Sequence, residues 1–244
     1  MTRGSYIDIH THILPGVDDG ANNIEQSLEM IKTTYEEGVR KIIFTPHFGL
    51  YHEGCCAAEL QSVFNELKNA VLSYKDLELY LGNEIFYGPE TVSALQEGKA
   101  LRLADTDYVL IEFHTTEEYS TMEKAVQTLI RAGYTPILAH AERYAALRKS
   151  TDYTAELVYF GARIQINSGT LLKGALDPEF RISKKLIKEN LVHLLGSDCH
   201  DNKLRRPQMK EAADKLYRMA GNSSAERILY ENGMLLLKNR PINA

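Results

Sequence analysis

The sequence is poor in the features that mark most specialised classes. It has only three cysteines in 244 residues, an odd number with none in a C-x-x-C pair. That argues against a disulfide scaffold and fits a reducing cytoplasm. No apolar run approaches the ~20 residues of a membrane span, so membrane insertion is not expected. The polar start, Met1-Thr2-Arg3-Gly4, runs straight into an apolar strand and predicts no signal peptide. A basic excess is also lacking: the net charge is −5, which disfavours a nucleic-acid surface. The local pairs Lys184-Lys185 and Arg205-Arg206 do not change that balance. No low-complexity linker or composition shift divides the chain, so residues 1–244 read as one domain. The apolar fraction of 44% is ample for a core, and the length is normal for an α/β barrel, often ~250 residues.

What is present is a series of short buried-type strands alternating with helices. The first strand, Ser5 to His12, sets the pattern: with a side-chain period of two, His10 and His12 point to one side and can converge on one cation. Asn23 caps a helix that ends at Gly38. Further strands are expected at 41–45, 77–84, 108–111, 135–139, 162–167 and 191–196, with helices between them. Pro89 fits the first turn of one helix, Ser120 with Glu123 forms a capping box, Asp177-Pro178 opens another, and Ser223 with Glu226 caps the last. Seven strands alternating with helices predict a parallel, closed or nearly closed barrel.

Polar residues stand where these strands run out: His10, His12, His47, Glu84, Glu112, His140, Asp198 and His200. In such barrels the carboxyl ends of the strands carry the chemistry. Five of the eight histidines fall there, where a chance scatter would leave them in helices and loops. With Asp19 from the first turn, nine residues are candidate ligands, more than the three or four protein ligands of one zinc-like site. Two or three divalent cations sharing bridging carboxylates accommodate them, and nitrogen and oxygen donors suit manganese, iron or zinc. Such clustered cations clamp phosphoryl oxygens and activate water. Arg143 and Arg205 lie near the same face and offer two-pronged donors for phosphate oxygens.

The set HTH, VDDG, TPH, GNEI, IEF, AHAER, NSG and SDCH, with RRP close behind, resembles the PHP (polymerase and histidinol phosphatase) superfamily. More narrowly it resembles the metal-dependent tyrosine-protein phosphatases of bacterial capsule and exopolysaccharide clusters, over nearly the whole chain. The resemblance implies a distorted (β/α)7 TIM-like barrel with a trinuclear, manganese-type centre. It implies a protein-tyrosine phosphatase acting on an autophosphorylating bacterial tyrosine kinase, and leaves self-association open. Carried over by motif, the ligands are His10, His12, Asp19, His47, Glu84, Glu112, His140, Asp198 and His200. Arg143 and Arg205 correspond to the phosphate-binding arginines, or Arg206 if the loop register slips. The loop after His47, from Phe48 to Cys56, departs from relatives in being aromatic and small rather than basic.

Several features compete with this assignment. Cys199 and Arg205 are spaced as C-x5-R, the pattern of cysteine-dependent phosphatases, but the intervening residues contain no glycine and Asp198 disfavours a thiolate. His52, His114 and His193 read as structural or solvent-facing, His193 as a satisfied core or interface histidine, with His114 a lesser candidate for the mouth. Asp18 ranks below Asp19 as a ligand, and Cys55-Cys56 reads as an ordinary loop pair. Tyr51, Phe86, Tyr87, Phe113, Tyr119 and Tyr144 are candidates for a ring-stacking wall, against the alternative of simple packing. Asp201 or Glu142 are candidates for relaying a proton. Rival functions are a small-molecule phosphomonoesterase such as histidinol-phosphate phosphatase, an amidohydrolase, a nuclease and a non-catalytic module docking a kinase. An amidohydrolase would want a metal-bridging lysine at a strand end, and no strand here ends in one; the acidic balance disfavours a nuclease.

Overall fold

The computed structural model describes residues 5–49 and 55–243. Tyr51 and His52 therefore lie outside the described residues. The apolar runs form β1 (Tyr6–Thr11), β2 (Val39–Phe44), β3 (His47–Phe48), β4 (Glu78–Leu81), β5 (Glu84–Phe86), β6 (Tyr108–Glu112), β7 (Thr135–Leu138), β8 (Arg163–Asn167) and β9 (Leu194–Gly196). Every described pairing between them is parallel. The sheet orders are β1-β2-β4 and β3-β5-β6-β7-β8-β9. Parallel neighbours need long crossovers, and the intervening helices supply them.

The expected strand 41–45 ends before Pro46 and is followed by a second short segment, and the expected strand 77–84 is interrupted near its end. Pro46 has no N–H to give to the ladder, so the run from Val39 stops at Phe44 and resumes at His47. Beside it the run from Glu78 breaks at Gly82-Asn83, where the Asn83 side chain donates to the Pro46 carbonyl (2.8 Å) and accepts from Leu101 N–H (2.8 Å). Asn83 thus satisfies backbone groups that the interrupted ladder leaves over. The sheet curls until its ends approach: Thr11 bridges Cys199, His12 N–H donates to the Cys199 carbonyl (2.9 Å), and Asp198 N–H to that of His10 (2.8 Å). The fold is therefore a curled parallel sheet with helices around it.

Local expectations mostly hold. Asn23 accepts from Gln26 N–H and starts the helix Ile24–Glu36; Asp177 accepts from Glu179 and Phe180 N–H and starts Pro178–Lys188. The capping box at Ser120 does not form. That helix starts two residues earlier, at Tyr119 with Glu118 before it, so Ser120 lies inside it, and Glu123 instead accepts from Gln127 one turn on. The last strand begins at Leu194 rather than Leu191. The helix after Pro89 is short, Thr91–Gln96. The long helix Met209–Glu226 breaks at Gly221 (φ 76°, ψ 169°), two residues before Ser223.

The core has three clusters. One gathers Ile7, Ile9, Ile43, Leu110, Ile137 and Leu194 from the strands, with Leu236 and Ile242 of the C-terminal segment. The other two lie between strands and helices, centred on residues such as Phe44, Leu67 and Leu216, and Val109, Leu129 and Leu157. No helix among the described residues is long and apolar enough to cross a membrane.

Candidate metal centre

The nine candidate ligands, from distant parts of the chain, meet at one end of the curled sheet. Three overlapping groups of donor atoms form: His12, Asp19, His47 and His200; His10, His12, Glu84 and Asp198; and His47, Glu84 and Glu112. His140 joins through Glu84 Oε1 (2.9 Å) and Glu112 Oε2 (3.6 Å). Glu84 is the hub, with Oε2 lying 3.1 Å from His10 Nε2, 3.2 Å from His12 Nε2 and 3.2 Å from His47 Nδ1. The strand break places it there, because it brings His47 and Glu84 side by side in register on β3 and β5.

Residues outside the ligand set aim these side chains. His12 Nδ1 lies 2.7 Å from Asp18 Oδ2, which directs Nε2 at the cluster. Asp18 also accepts from His47 N–H (3.2 Å) and Gly20 N–H (3.0 Å). Asp18 therefore organises the turn while Asp19 faces His47 Nε2 (3.4 Å) and His200 Nε2 (3.3 Å). A Cβ at Gly20 would stand 2.0 Å from the His12 carbonyl oxygen, so only glycine lets the turn come so close. His200 Nδ1 bonds the Asp198 carbonyl (3.0 Å). Asp8, buried on β1, accepts from Ser197 N–H (2.9 Å) and ties β1 to the segment carrying Asp198. His140 (φ 34°) and Asp198 (φ 53°) both adopt left-handed backbone, a strain of about 1–3 kcal/mol each that accumulates at functional sites.

The donor set fits cations. Ligands about 2.1 Å from a shared ion at tetrahedral to octahedral angles stand roughly 3.0–3.4 Å apart, which is the spacing of the Glu84 contacts. Nε2 atoms of His10 and His12 lie 3.2 Å apart with a carboxylate between them. Neutral imidazoles would turn lone pairs on carboxylate oxygens, and doubly protonated ones would repel each other; a shared cation removes both conflicts. His200 Nε2 is buried without a hydrogen-bond partner, with Asp19 Oδ1 as the nearby oxygen.

The electrostatics agree. Burial opposes charge on His12, but Asp18 and Glu84 outweigh it and raise its pKa to about 9. For His140 burial is overcome by Glu112 and Glu84, giving about 10, and for His47 by Asp19, Glu112 and Glu84, giving about 11. Despite burial, Glu84 is held well below the usual carboxylate range by His10, His12 and His140. His200 moves the other way, lowered by burial and by the neighbouring His12 charge.

Arg143 and Arg205 sit beside Asp198, with Arg143 Nη1 3.5 Å from Oδ2 and Arg205 Nη2 2.7 Å from Oδ1. Both line a cavity of about 330 Å³ that also includes Asn167, Thr170, Arg206 and Gln208. Arg205 rather than Arg206 makes the Asp198 contact; Arg206 faces Gln208. A second cavity of about 300 Å³ touches the centre through His47 and Glu112 and is lined by Phe48, Phe86, Phe113 and His114. Of the proposed aromatic wall, Phe86 and Phe113 line this cavity, where Phe86 meets His114, the lesser candidate for the mouth, edge-on (4.8 Å). Tyr144 is fully buried, with its hydroxyl accepting from Phe113 N–H, and Tyr119 stacks on Tyr153, so both belong to packing.

The decoys resolve. Cys199 is buried in an apolar cluster, and burial first, then Asp8, pushes its thiol far above neutrality. His193 is buried, its Nδ1 accepting from Ile164 N–H (3.2 Å), while its Nε2 has no partner. Asp201 folds onto the backbone N–H groups of Lys203 and Leu204, which outweigh desolvation and lower its pKa. Glu142 is buried with its pKa raised by desolvation, and Oε1 accepts from Asn167 N–H (2.9 Å). Neither lines the cavity that holds the arginines. Gln165, Asn167, Asp18 and Asp8 contact the candidate ligands; in the sequence Asp18 was weighed against Asp19 and Asn167 stood in the NSG motif, while Gln165 and Asp8 did not stand out.

The profile of the family described as capsular polysaccharide synthesis, CpsB/CapC, matches residues 6–238. Tyrosine-protein phosphatase CpsB of Streptococcus agalactiae is 32% identical, over 97% of this chain and 100% of its own. Tyrosine-protein phosphatase YwqE of Bacillus subtilis is 35% identical, over 97% and 93%. Among solved structures, one from the crystallographic work on YwqE of B. subtilis and CpsB of Streptococcus pneumoniae, there called unique metal-dependent tyrosine phosphatases, superposes with a TM-score of 0.90. It is 34% identical, over 97% of this chain and 96% of that one.

Proposed function

Because this chain belongs to the CpsB/CapC capsular polysaccharide synthesis family, we propose that it is a metal-dependent protein-tyrosine phosphatase. Its substrate is phosphotyrosine on a bacterial tyrosine kinase, and its role is to regulate capsular or extracellular polysaccharide synthesis from the cytoplasm. The observation that carries the reading is the convergence of imidazoles and carboxylates on Glu84, beside a cavity lined by Arg143, Arg205 and Arg206. Within it, His10, His12, Asp19, His47, Glu84, Glu112, His140, Asp198 and His200 hold two or three divalent cations, manganese foremost. The strand segments then read as the seven strands of a distorted PHP-type (β/α)7 barrel, with two strands broken, in a single domain.

When bound, the cations supply Lewis acidity toward phosphoryl oxygens and lower the pKa of water. The chain's own residues do the rest. Arg143 and Arg205 grip the phosphoryl oxygens and stabilise the charge that develops on them, and their place on the cavity wall sets the direction from which the ester enters. Glu84 holds the cation-binding imidazoles in one arrangement throughout. The leaving group is a phenolate whose conjugate acid has a pKa of about 10, so it departs with less proton assistance than an alkoxide. That agrees with Asp201 and Glu142 both being engaged with backbone N–H groups. The test is phosphate release from a phosphotyrosine peptide, with chelator and with manganese restored, against histidinol phosphate in parallel. Preference for histidinol phosphate, or release that survives chelation, would overturn the assignment.

A further inference from the structure

Gln165 of β8 is fully buried behind the metal centre. Its Oε1 lies 2.7 Å from the His140 backbone nitrogen and 3.1 Å from His10 Nδ1. Its Nε2 donates to Asn167 Oδ1 at 2.9 Å, and Asn167 Nδ2 donates to Asp198 Oδ2 at 2.7 Å. The direction of this chain is forced at both ends. A backbone N–H can only donate, so the Gln165 atom facing His140 is the amide oxygen; a carboxylate only accepts, so the Asn167 atom facing Asp198 is the amide nitrogen. The middle bond then has a donor facing an acceptor, as it must. His10 shares the Gln165 oxygen, so its Nδ1 carries the proton and its Nε2 lone pair faces Glu84 and His12.

We infer that Gln165 and Asn167 form one positioning relay that fixes the tautomer of His10, the backbone of His140 and the carboxylate of Asp198 together. The inference rests on the reading that these three residues hold the cations. It explains how two left-handed residues, His140 and Asp198, keep their conformation, since each is held by the same pair of amides. It also gives Gly196 a reason: a Cβ there would stand 2.7 Å from His10 Cβ and 3.0 Å from Gln165 Nε2, so the amide lies against bare backbone. Orienting a metal-bound imidazole through its other ring nitrogen is the kind of contact whose loss costs 10–100-fold in metal affinity.

The experiment measures cation binding to metal-free protein by competition with a chromogenic chelator. It compares wild type, Gln165→Leu, Asn167→Ala and the double variant. Imidazole 15N spectra of the zinc-loaded proteins are recorded alongside. Each single change should weaken binding about 10–100-fold, and the double should fall short of the product of the two losses, because the links act in series. The His10 Nδ1–H signal should shift and broaden in Gln165→Leu, where the proton loses its acceptor, and keep its position in Asn167→Ala, a separation that a loss of general packing would not produce. Unchanged affinity in both single variants, losses that multiply, or an unshifted His10 signal in Gln165→Leu would overturn the relay. Asn167 is only half-buried, so Asn167→Ala and its zinc affinity still decide the matter if Gln165→Leu does not fold. Wild-type protein that takes up no cation would bring down the metal centre itself and the relay with it; normal wild-type uptake with unaffected variants sinks the relay alone.

Discussion

Without cations, this centre charges itself with protons, and that dictates how metal uptake must depend on pH. His12, His140 and His47 have pKa values raised to about 9, 10 and 11 by the surrounding carboxylates, against the opposing effect of burial. A cation needs the lone pair that each proton occupies, so saturating the centre displaces about three protons between pH 7 and 8.5. Each displaced proton contributes about 1.4 kcal/mol per pH unit, so the overall free energy of saturation should strengthen by roughly 4 kcal/mol per pH unit. The slope should ease above about pH 9, where His12 gives up its proton unaided. Calorimetric titration with manganese in buffers of different ionisation enthalpy counts the protons directly. The linked effect on stability has the opposite sign. These histidines have folded pKa values above the ~6.5 of the unfolded chain, so their contribution is complete below that pH and is lost as pH rises through 9 to 11. Metal-free protein should therefore melt at lower temperature at pH 10 than at pH 7, while cation-loaded protein is protected by mass action. Cation uptake with no proton release, or an affinity flat from pH 7 to 9, would refute the reasoning.

Gly20→Ala drives a methyl group into the His12 carbonyl and must move the turn that holds Asp18 and Asp19. Overpacking of this kind costs about 1–3 kcal/mol, and the variant should melt earlier and hold fewer cations by elemental analysis. Cys199→Ser should keep most phosphatase activity while chelation removes it; loss of activity in the variant with full activity under chelator would restore the thiol mechanism. Arg205→Lys keeps the charge but loses the planar fork, and should lower kcat/KM for a phosphotyrosine peptide by about 10–100-fold, the worth of a charge-assisted hydrogen bond. Cation content should hardly change, and a large drop would show that Arg205 serves the metal ligands instead.

Eight of the nine candidate ligands were legible because each stands where a strand runs out, and Asp19 because it stands in the turn after the first. Chain closure brings those ends together, so a linear rule about strand ends becomes a statement about one pocket. Gln165 and Asp8 escaped because they lie inside strands, not at their ends. In Arg163-Ile164-Gln165-Ile166-Asn167 the alternation is that of any half-buried strand, with Gln165 on what reads as the solvent face. Curling the sheet turns that face inward, and Gln165 becomes fully buried. Asp18 and Asp19 show the converse: adjacency in sequence made them rivals, and a 2.7 Å contact to His12 gives Asp18 the supporting role. The capping box at Ser120 failed for a simpler reason. Its residues were suitable, but the helix had already begun.

The places where local rules fail are also the places that aim the centre. Pro46 and the Gly82-Asn83 break cost the sheet ladder hydrogen bonds, yet they bring His47 and Glu84 into register on the second pair of segments. An unbroken strand continuing from Phe44 would have kept the side-chain alternation running without this adjustment. His140 and Asp198 are held in left-handed backbone, which is uncommon outside glycine. Gly20 and Gly196 give up side chains so that backbone can approach His12 and His10. Each departure weakens the scaffold locally, and each acts on a residue within reach of Glu84. A sequence selected only for stability would repair them. Their concentration around one buried carboxylate is what a site selected to bind charge would leave behind.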